Sequence, residues 1–246
     1  MAKPNESQGP QGDSTPVSIT VFFPCYDEQD NVARVTEQAV KVLKDLRADY
    51  EIIIVDDGSA DNTGRVADQI AAGHDRVRVI HHPRNLGYGA ALQSGFRAAA
   101  KELVFYTDGD AQFDLAEMPP WLPLMKEYDI VSGYRMNRQD NFVRRMNGWL
   151  WTKTTGLLFS LNVRDMDCAF KLFKRSIFDD IKMESTGALI CTEVLARAAR
   201  KGYKIAQRGV HHYPRTAGKP TGGNLKVILR AFKELLRLRR RILSDR

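Results

Sequence analysis

Glu51-Ile52-Ile53-Ile54-Val55-Asp56-Asp57-Gly58-Ser59 decides the fold. An apolar run with no polar alternation has no face to give to water, so it suits a strand covered on both sides. The run breaks into a polar, glycine-containing turn. Working outward, Ser18 to Phe23 is a second such run, ended by Pro24. Between them, Asn31 to Leu46 places Val32, Val35, Ala39, Val42, Leu43 and Leu46 at helical spacing. A helix from Thr63 to Ala72, a strand from Val77 to His81, a helix from Gly89 to Ala100 and a strand from Leu103 to Tyr106 follow. Strands alternating with helices predict right-handed β-α-β units and a mostly parallel sheet, an α/β fold. Ligands of such sheets bind beyond the carboxyl ends of the strands. The polar clusters after the first, second and fourth strands share that edge.

The later sequence is less regular. Asp140 to Leu161 reads as a helix carrying Trp149, Leu150, Trp151, Leu157 and Leu158. Asp165 to Phe173 reads as a loop entering a strand, Thr192 to Lys201 as a helix, Lys204 to Tyr213 as a strand and Asn224 to Leu243 as a final helix. The expected organisation is a disordered leader (1–16), one domain (17–222) and a basic C-terminal helix (223–246).

The chain has 246 residues and a formal net charge of +7. From Arg215 onward there are ten basic and two acidic residues, so residues 1–214 carry a net charge of −1. The basicity belongs to the tail. Three widely spaced cysteines (Cys25, Cys168 and Cys191) offer neither a disulfide framework nor paired zinc-ligand spacing. Met1 to Pro16 has no apolar core of a signal peptide, and no stretch approaches the roughly 18 apolar residues of a membrane span. A reducing, cytosolic setting is expected.

Thr107-Asp108-Gly109-Asp110-Ala111-Gln112 carries the sharpest chemistry. Two carboxylates two residues apart repel unless a cation joins them, and a hard divalent ion could hold them together with diphosphate oxygens. Gln112 adds a neutral oxygen at the same alternate spacing. Taken alone, the pair reads equally as an Asx turn before a helix, a task Asp114 could perform. Pro24-Cys25-Tyr26-Asp27-Glu28 offers Tyr26 to stack on a base and Glu28 to accept from base or ribose, or else acids at a helix N-terminus. Asp56-Asp57 reads as one turn cap and one acceptor for a nucleobase N–H, or as two caps. Asn85-Leu86-Gly87-Tyr88-Gly89 is a poor dinucleotide loop and suits close helix packing better. Arg215 and Lys219 are candidates to clamp phosphates.

Together these segments resemble glycosyltransferase family 2, from about Ser18 to Lys219. The resemblance rests on P-C-Y-D-E (24–28), V-D-D-G-S-A-D-N-T (55–63), R-N-L-G-Y-G-A-A-L-Q-S-G-F (84–96) and T-D-G-D-A-Q (107–112). Within that family the chain is most similar to the dolichyl- or polyprenyl-phosphate mannosyltransferase group, through D-G-D-A-Q, S-G-Y-R (132–135), D-M-D-C-A-F-K (165–171) and the loop from Arg215. Ala169 and Lys171 stand where the group has glycine and arginine, and Gly218-Lys219-Pro220 departs from its usual ending.

The resemblance implies a Rossmann-like GT-A domain that binds a nucleotide-sugar donor. It implies that Pro24, Tyr26, Glu28, Val55 and Asp57 hold the nucleoside. Asp108, Gly109 and Asp110 would meet the donor diphosphate, with Mg²⁺ or Mn²⁺ on Asp108, Asp110 and Gln112. Arg135, Arg215 and Lys219 would meet phosphates, and Asp165, with Asp167 as an extra carboxylate, would lie on the acceptor side. The implied reaction is inverting transfer of a hexose, mannose from GDP-mannose, to a polyprenyl or dolichyl phosphate. UDP-glucose is the alternative donor and a soluble molecule the alternative acceptor.

The tail bears on the acceptor. Leu225, Ile228, Leu229, Phe232, Leu235, Leu236 and Leu243 form an apolar stripe with basic residues around it. That pattern suits a helix on an anionic membrane surface, or a helix docked on the domain with a solvated basic face. The first predicts peripheral membrane contact through residues 224–246 at the cytoplasmic, inner face. Nucleic acid is not an expected partner, because the acidic turns occupy the predicted ligand edge.

Overall fold

Continuous β-branched runs need cover on both faces, and helices flanking a single sheet supply it. The computed structural model describes residues 16–136, 142–215 and 225–244. Strands β1 (Ser18–Cys25), β2 (Asp49–Asp56), β3 (Val77–His81) and β4 (Leu103–Thr107) alternate with helices α1 (Val32–Asp45), α2 (Thr63–Ala72) and α3 (Tyr88–Ala98). Two short 3₁₀ segments (Leu115–Glu117 and Pro119–Lys126) lead to β5 (Ile130–Met136) and α4 (Phe142–Phe159). Then come β6 (Phe170–Lys174), α5 (Ile177–Asp180), α6 (Ile190–Arg200), β7 (Ile205–His211) and α7 (Leu225–Ser244).

The seven strands lie in the order β3-β2-β1-β4-β6-β5-β7. Strand β6 is antiparallel to both neighbours, and the other pairings are parallel. This reversal positions the site. Phe170, at the start of β6, pairs with Thr107 at the end of β4. The segment before β6 therefore reaches the same edge as the ends of β1, β2, β4, β5 and β7.

Ile52, Ile53, Ile54 and Val55 are fully buried, as their uniform hydrophobicity requires. Helix α3 lies close on β1 at Gly95, where a Cβ would come within 2.3 Å of the Phe22 ring. Around that contact Phe22 meets Phe96 edge-on at 4.9 Å, and Phe96 meets Tyr106 at 5.6 Å. Such pairs contribute about 0.5–1.5 kcal/mol each beyond their buried area.

Strand β5 is an addition to the sequence reading. Its second half, Ser-Gly-Tyr-Arg, lacks an apolar run, yet all seven of its residues pair with β7. The two 3₁₀ segments and α5 are likewise additions, and the remaining elements match the reading to within two or three residues. The leader through residue 15, the loop 216–224 with Lys219, and the side chains of Leu225, Ile228, Leu229 and Phe232 lie outside the described residues.

The described half of α7 shows which way its stripe faces. Leu235, Leu238 and Ile242 are buried against the domain, while Arg237, Arg239, Arg240 and Arg241 are exposed. This half therefore packs on the domain through one face and leaves Leu236, Leu243 and the arginines exposed on the other. No helix among the described residues is long and apolar enough to cross a membrane.

Candidate active site

Strands β1 and β2 end level, with Cys25 opposite Asp56. Their turns are tied together: Asp57 N donates to Cys25 O at 2.9 Å, and Gly109 N to Pro24 O at 3.3 Å. A Cβ on Gly109 would lie 2.4 Å from Cys25 Sγ, so a glycine is required for this approach. Asp27 N donates to Ser59 Oγ at 3.0 Å, Ala60 N to Asp27 Oδ1 at 2.8 Å, and Glu28 N to Thr63 Oγ1 at 2.7 Å. Three turns thus form one rigid edge.

Asp108 and Asp110 project from this edge. Burial, and then the Asp110 charge, push the Asp108 pKa up to about 7, against a downward pull from the Tyr88 hydroxyl. Burial raises Asp110 as well. Capping of the next turn falls to Asp114, whose Oδ1 accepts Ala116 N at 3.0 Å. Asp110 instead folds its own turn: Oδ1 accepts Gln112 N at 3.1 Å, and Ala111 between them has φ of 57°. That left-handed conformation is costly for a residue with a Cβ. Arg34 helps to hold it by donating to Ala111 O at 3.1 Å.

Two half-buried carboxylates kept together form a fitting donor set for Mg²⁺ or Mn²⁺. Such ions often take one or two protein carboxylates and complete their shell with substrate phosphates and water. Among the described residues no group of three or more His, Cys, Asp or Glu could hold a metal, so two is what this edge offers. Gln112 Nε2 donates to Tyr213 O at 2.8 Å, which leaves its Oε1 as the remaining ligand atom.

The other donor-side residues are placed as follows. The Tyr26 side chain is exposed and open to stacking, whereas Pro24 and Val55 are buried in the sheet edge. Asp57 is committed within the protein: Oδ1 accepts His82 Nδ1 at 2.6 Å and Leu86 N at 2.9 Å, and Oδ2 accepts Gly87 N at 2.9 Å. Glu28 accepts from Asn31 Nδ2 at 2.7 Å and from Arg215. Arg215 also reaches Asp110 Oδ2 at 3.4 Å. It therefore bridges the first strand's turn to the acidic pair.

Across the edge, Arg135 and Asp165 form a two-pronged ion pair, Nε to Oδ2 and NH2 to Oδ1, both at 2.8 Å. The Arg135 backbone N–H adds a third bond at 3.2 Å. Despite opposing burial, this guanidinium holds the Asp165 carboxyl below its usual range. Asp167 reaches solvent, yet the surrounding protein, followed by the Asp165 charge, pushes its pKa up. Lys171 is buried beneath, its ammonium donating to Met166 O at 3.1 Å and to Cys168 O.

Some contributors were missed in the sequence. Tyr88 donates its hydroxyl to Asp108 Oδ1 at 2.9 Å. Its G-Y-G setting signalled packing, and packing is also present: a Cβ on Gly89 would lie 2.5 Å from Ser185 O. The loop it meets is anchored by fully buried Glu193, which accepts Ser185 N at 2.7 Å and pairs with Arg197 at 2.9 Å. Such long-range partners leave no local spacing signal.

The fold and the acidic sheet edge define a GT-A-type protein. The chain belongs to glycosyltransferase family 2, whose profile matches residues 20–182. It is 30% identical over 227 residues to glycosyltransferase AglD of Haloferax volcanii, covering 87% of this chain and 36% of that protein. It is 34% identical over 167 residues to the undecaprenyl-phosphate 4-deoxy-4-formamido-L-arabinose transferase of Proteus mirabilis, covering 65% of this chain and 50% of the relative. It therefore spans half or less of the length of these two relatives. Mannosyl-3-phosphoglycerate synthase from Rubrobacter xylanophilus shares the fold, with a TM-score of 0.68, 18% identity, and 94% and 76% of the two chains covered. Glucosyl-3-phosphoglycerate synthase from Mycobacterium tuberculosis, solved with UDP, does so with a TM-score of 0.65, 19% identity, and 92% and 80% covered.

Proposed function

We propose that this chain is the catalytic domain of a metal-dependent, inverting glycosyltransferase that moves a hexose from a nucleotide sugar to a polyprenyl phosphate at the cytoplasmic face of a membrane. The observation that carries this reading is the Asp108–Asp110 pair, two carboxylates at the ligand edge that are both pushed toward the protonated form. The named substrate of the Proteus mirabilis relative supports the acceptor class.

Asp108 and Asp110, with Gln112 Oε1, would hold Mg²⁺ or Mn²⁺, which when bound offsets the charge of the departing nucleoside diphosphate. Tyr26 stacks on the base. Asp57 shapes the nucleoside pocket through the 82–87 loop, and Pro24 and Val55 form its floor. Arg215 exchanges its carboxylate partners for the diphosphate, joined by Lys219. Arg135, oriented by Asp165, turns its unused N–H groups to the acceptor phosphate. That phosphate is already largely ionised at neutral pH. Its oxygen attacks the anomeric carbon as the bond to the diphosphate breaks on the opposite face, so positioning and charge do the catalysis. Asp167 lies beside that acceptor position. Mannose from GDP-mannose is the expected donor, with UDP-glucose the alternative.

The test is glycolipid formation by purified protein with Mg²⁺ or Mn²⁺, polyprenyl phosphate, and GDP-mannose or UDP-glucose. No glycolipid with either donor refutes the reading; transfer only to a soluble phosphate ester replaces the acceptor.

A further inference from the structure

Helix α4 turns a large apolar stripe to solvent. Met146, Trp149, Leu150 and Leu157 stand at i, i+3, i+4 and i+11, with 48%, 60%, 52% and 85% of their surface exposed. Exposed Lys153 fills the i+7 position of the same line. The opposite side of the helix faces the protein, where Thr152 and Thr155 are buried. A soluble domain seldom leaves such a contiguous patch uncovered.

We propose that this outer face of α4 docks on an anionic lipid bilayer, with the arginines of α7 flanking it. This deepens the lipid-acceptor reading and rests on it for its purpose, though it is tested by binding and not by turnover. Three observations favour a bilayer. The stripe joins a tryptophan, long aliphatic side chains and a lysine, a composition that sinks into the headgroup boundary while the ammonium stays in water. Helix α7 lies beside it, Arg239 Nε donating to Leu158 O at 3.1 Å, and carries exposed Arg237, Arg240 and Arg241. Those charges attract anionic headgroups. In a symmetric pairing with a second copy this cationic surface would be brought against itself, and its like charges oppose that arrangement. The inner side of the helix supplies the geometric link: the Trp151 side chain hydrogen-bonds Asp167, beside the candidate acceptor position. A membrane on the outer face would thus lie one helix away from Arg135 and Asp165. In the described half of α7, Leu235, Leu238 and Ile242 are buried, while Leu236 and Leu243 are exposed beside the arginines and add to the same surface.

The test is co-sedimentation of the full chain with phosphatidylcholine vesicles, with and without phosphatidylglycerol. Binding is expected to the anionic vesicles and to weaken with salt. It should fall by about tenfold or more in a Trp149→Ser/Leu157→Ser variant, because two large side chains no longer leave water. Both positions are exposed, so the variant should keep the wild-type melting temperature. In a separate Leu157→Trp variant carrying Trp149→Phe, tryptophan emission should shift to the blue on binding. Equal vesicle binding by wild type and the serine variant overturns the proposal. So does a self-associating protein that the same serine changes dissociate, without vesicle binding. Loss of binding in the serine variant supports the docking face whether or not a glycolipid is formed.

Discussion

Two charged pairs at the same sheet edge are built on opposite principles. Asp108 and Asp110 are half-buried like charges, and both are pushed toward the protonated form. Arg135 and Asp165 are unlike charges locked by two 2.8 Å bonds, and Asp165 is pulled toward the ionised form. On Asp108 the strongest neighbouring charge is the Asp110 carboxylate, and Arg215 touches the pair only at 3.4 Å from Asp110; Asp165 is gripped directly by a guanidinium. Burial raises a carboxylate in both places, so the partner decides the outcome.

The largest expected effect breaks the first pair. Asp110→Asn should reduce transfer by about 10²–10³-fold, the scale of losing one preorganised charge-stabilising group. It should leave the melting temperature little changed, since relief of the repulsion on Asp108 offsets the lost Arg215 contact at 3.4 Å. A joint fall in activity and stability would refute the contrast. Next, Arg135→Met strands Asp165 without its partner and should cost about 3 kcal/mol in urea unfolding. An Arg135→Met/Asp165→Leu double variant should recover most of that loss, which distinguishes a satisfied pair from a simple packing contribution.

The third effect is a difference of sign with pH. Asp108 has a folded pKa near 7, above its unfolded value near 3.8. Its contribution is fully present below the lower value and is lost as pH rises through the higher one. Without divalent cations, thermal stability should therefore gain a few degrees from Asp108 as pH falls from 7 toward 4, and Asp108→Asn should flatten this gain. Asp165 acts in reverse: its contribution is present above its unfolded value and lost as pH falls below it. The smallest effect is Tyr88→Phe. It removes one hydrogen bond worth about 1 kcal/mol and raises Asp108 further. The expected result is several-fold weaker Mn²⁺ binding by calorimetry, with the fold intact.

The legible parts of this molecule are those encoded locally. Ile52–Val55 and Ser18–Phe23 announce buried strands by composition, and Asp108-Gly109-Asp110 announces itself by spacing. Strand β5 escaped because its Ser-Gly-Tyr-Arg half is recognisable only once β7 lies beside it. The α7 stripe was read as amphipathic, but periodicity does not say whether the apolar side meets lipid or protein. Here Leu235 meets protein, while Leu236 and Leu243 stay exposed. The Arg135–Asp165 pair, Tyr88 on Asp108, and Asp57 on His82 are contacts across 30, 20 and 25 residues, visible only after folding.

The Arg215 bridge to Glu28 joins positions 187 residues apart. Closing so long a loop comes late in folding, after local pairings have already reduced its entropic cost. During synthesis, the first strand and its acidic turns emerge long before the arginine that spans them. A nascent chain that stops after β6 can hold most of the sheet yet lacks the guanidinium that joins Glu28 to Asp110. The order of residues along the chain thus sets a time at which the site comes into being, close to the end of translation of this domain.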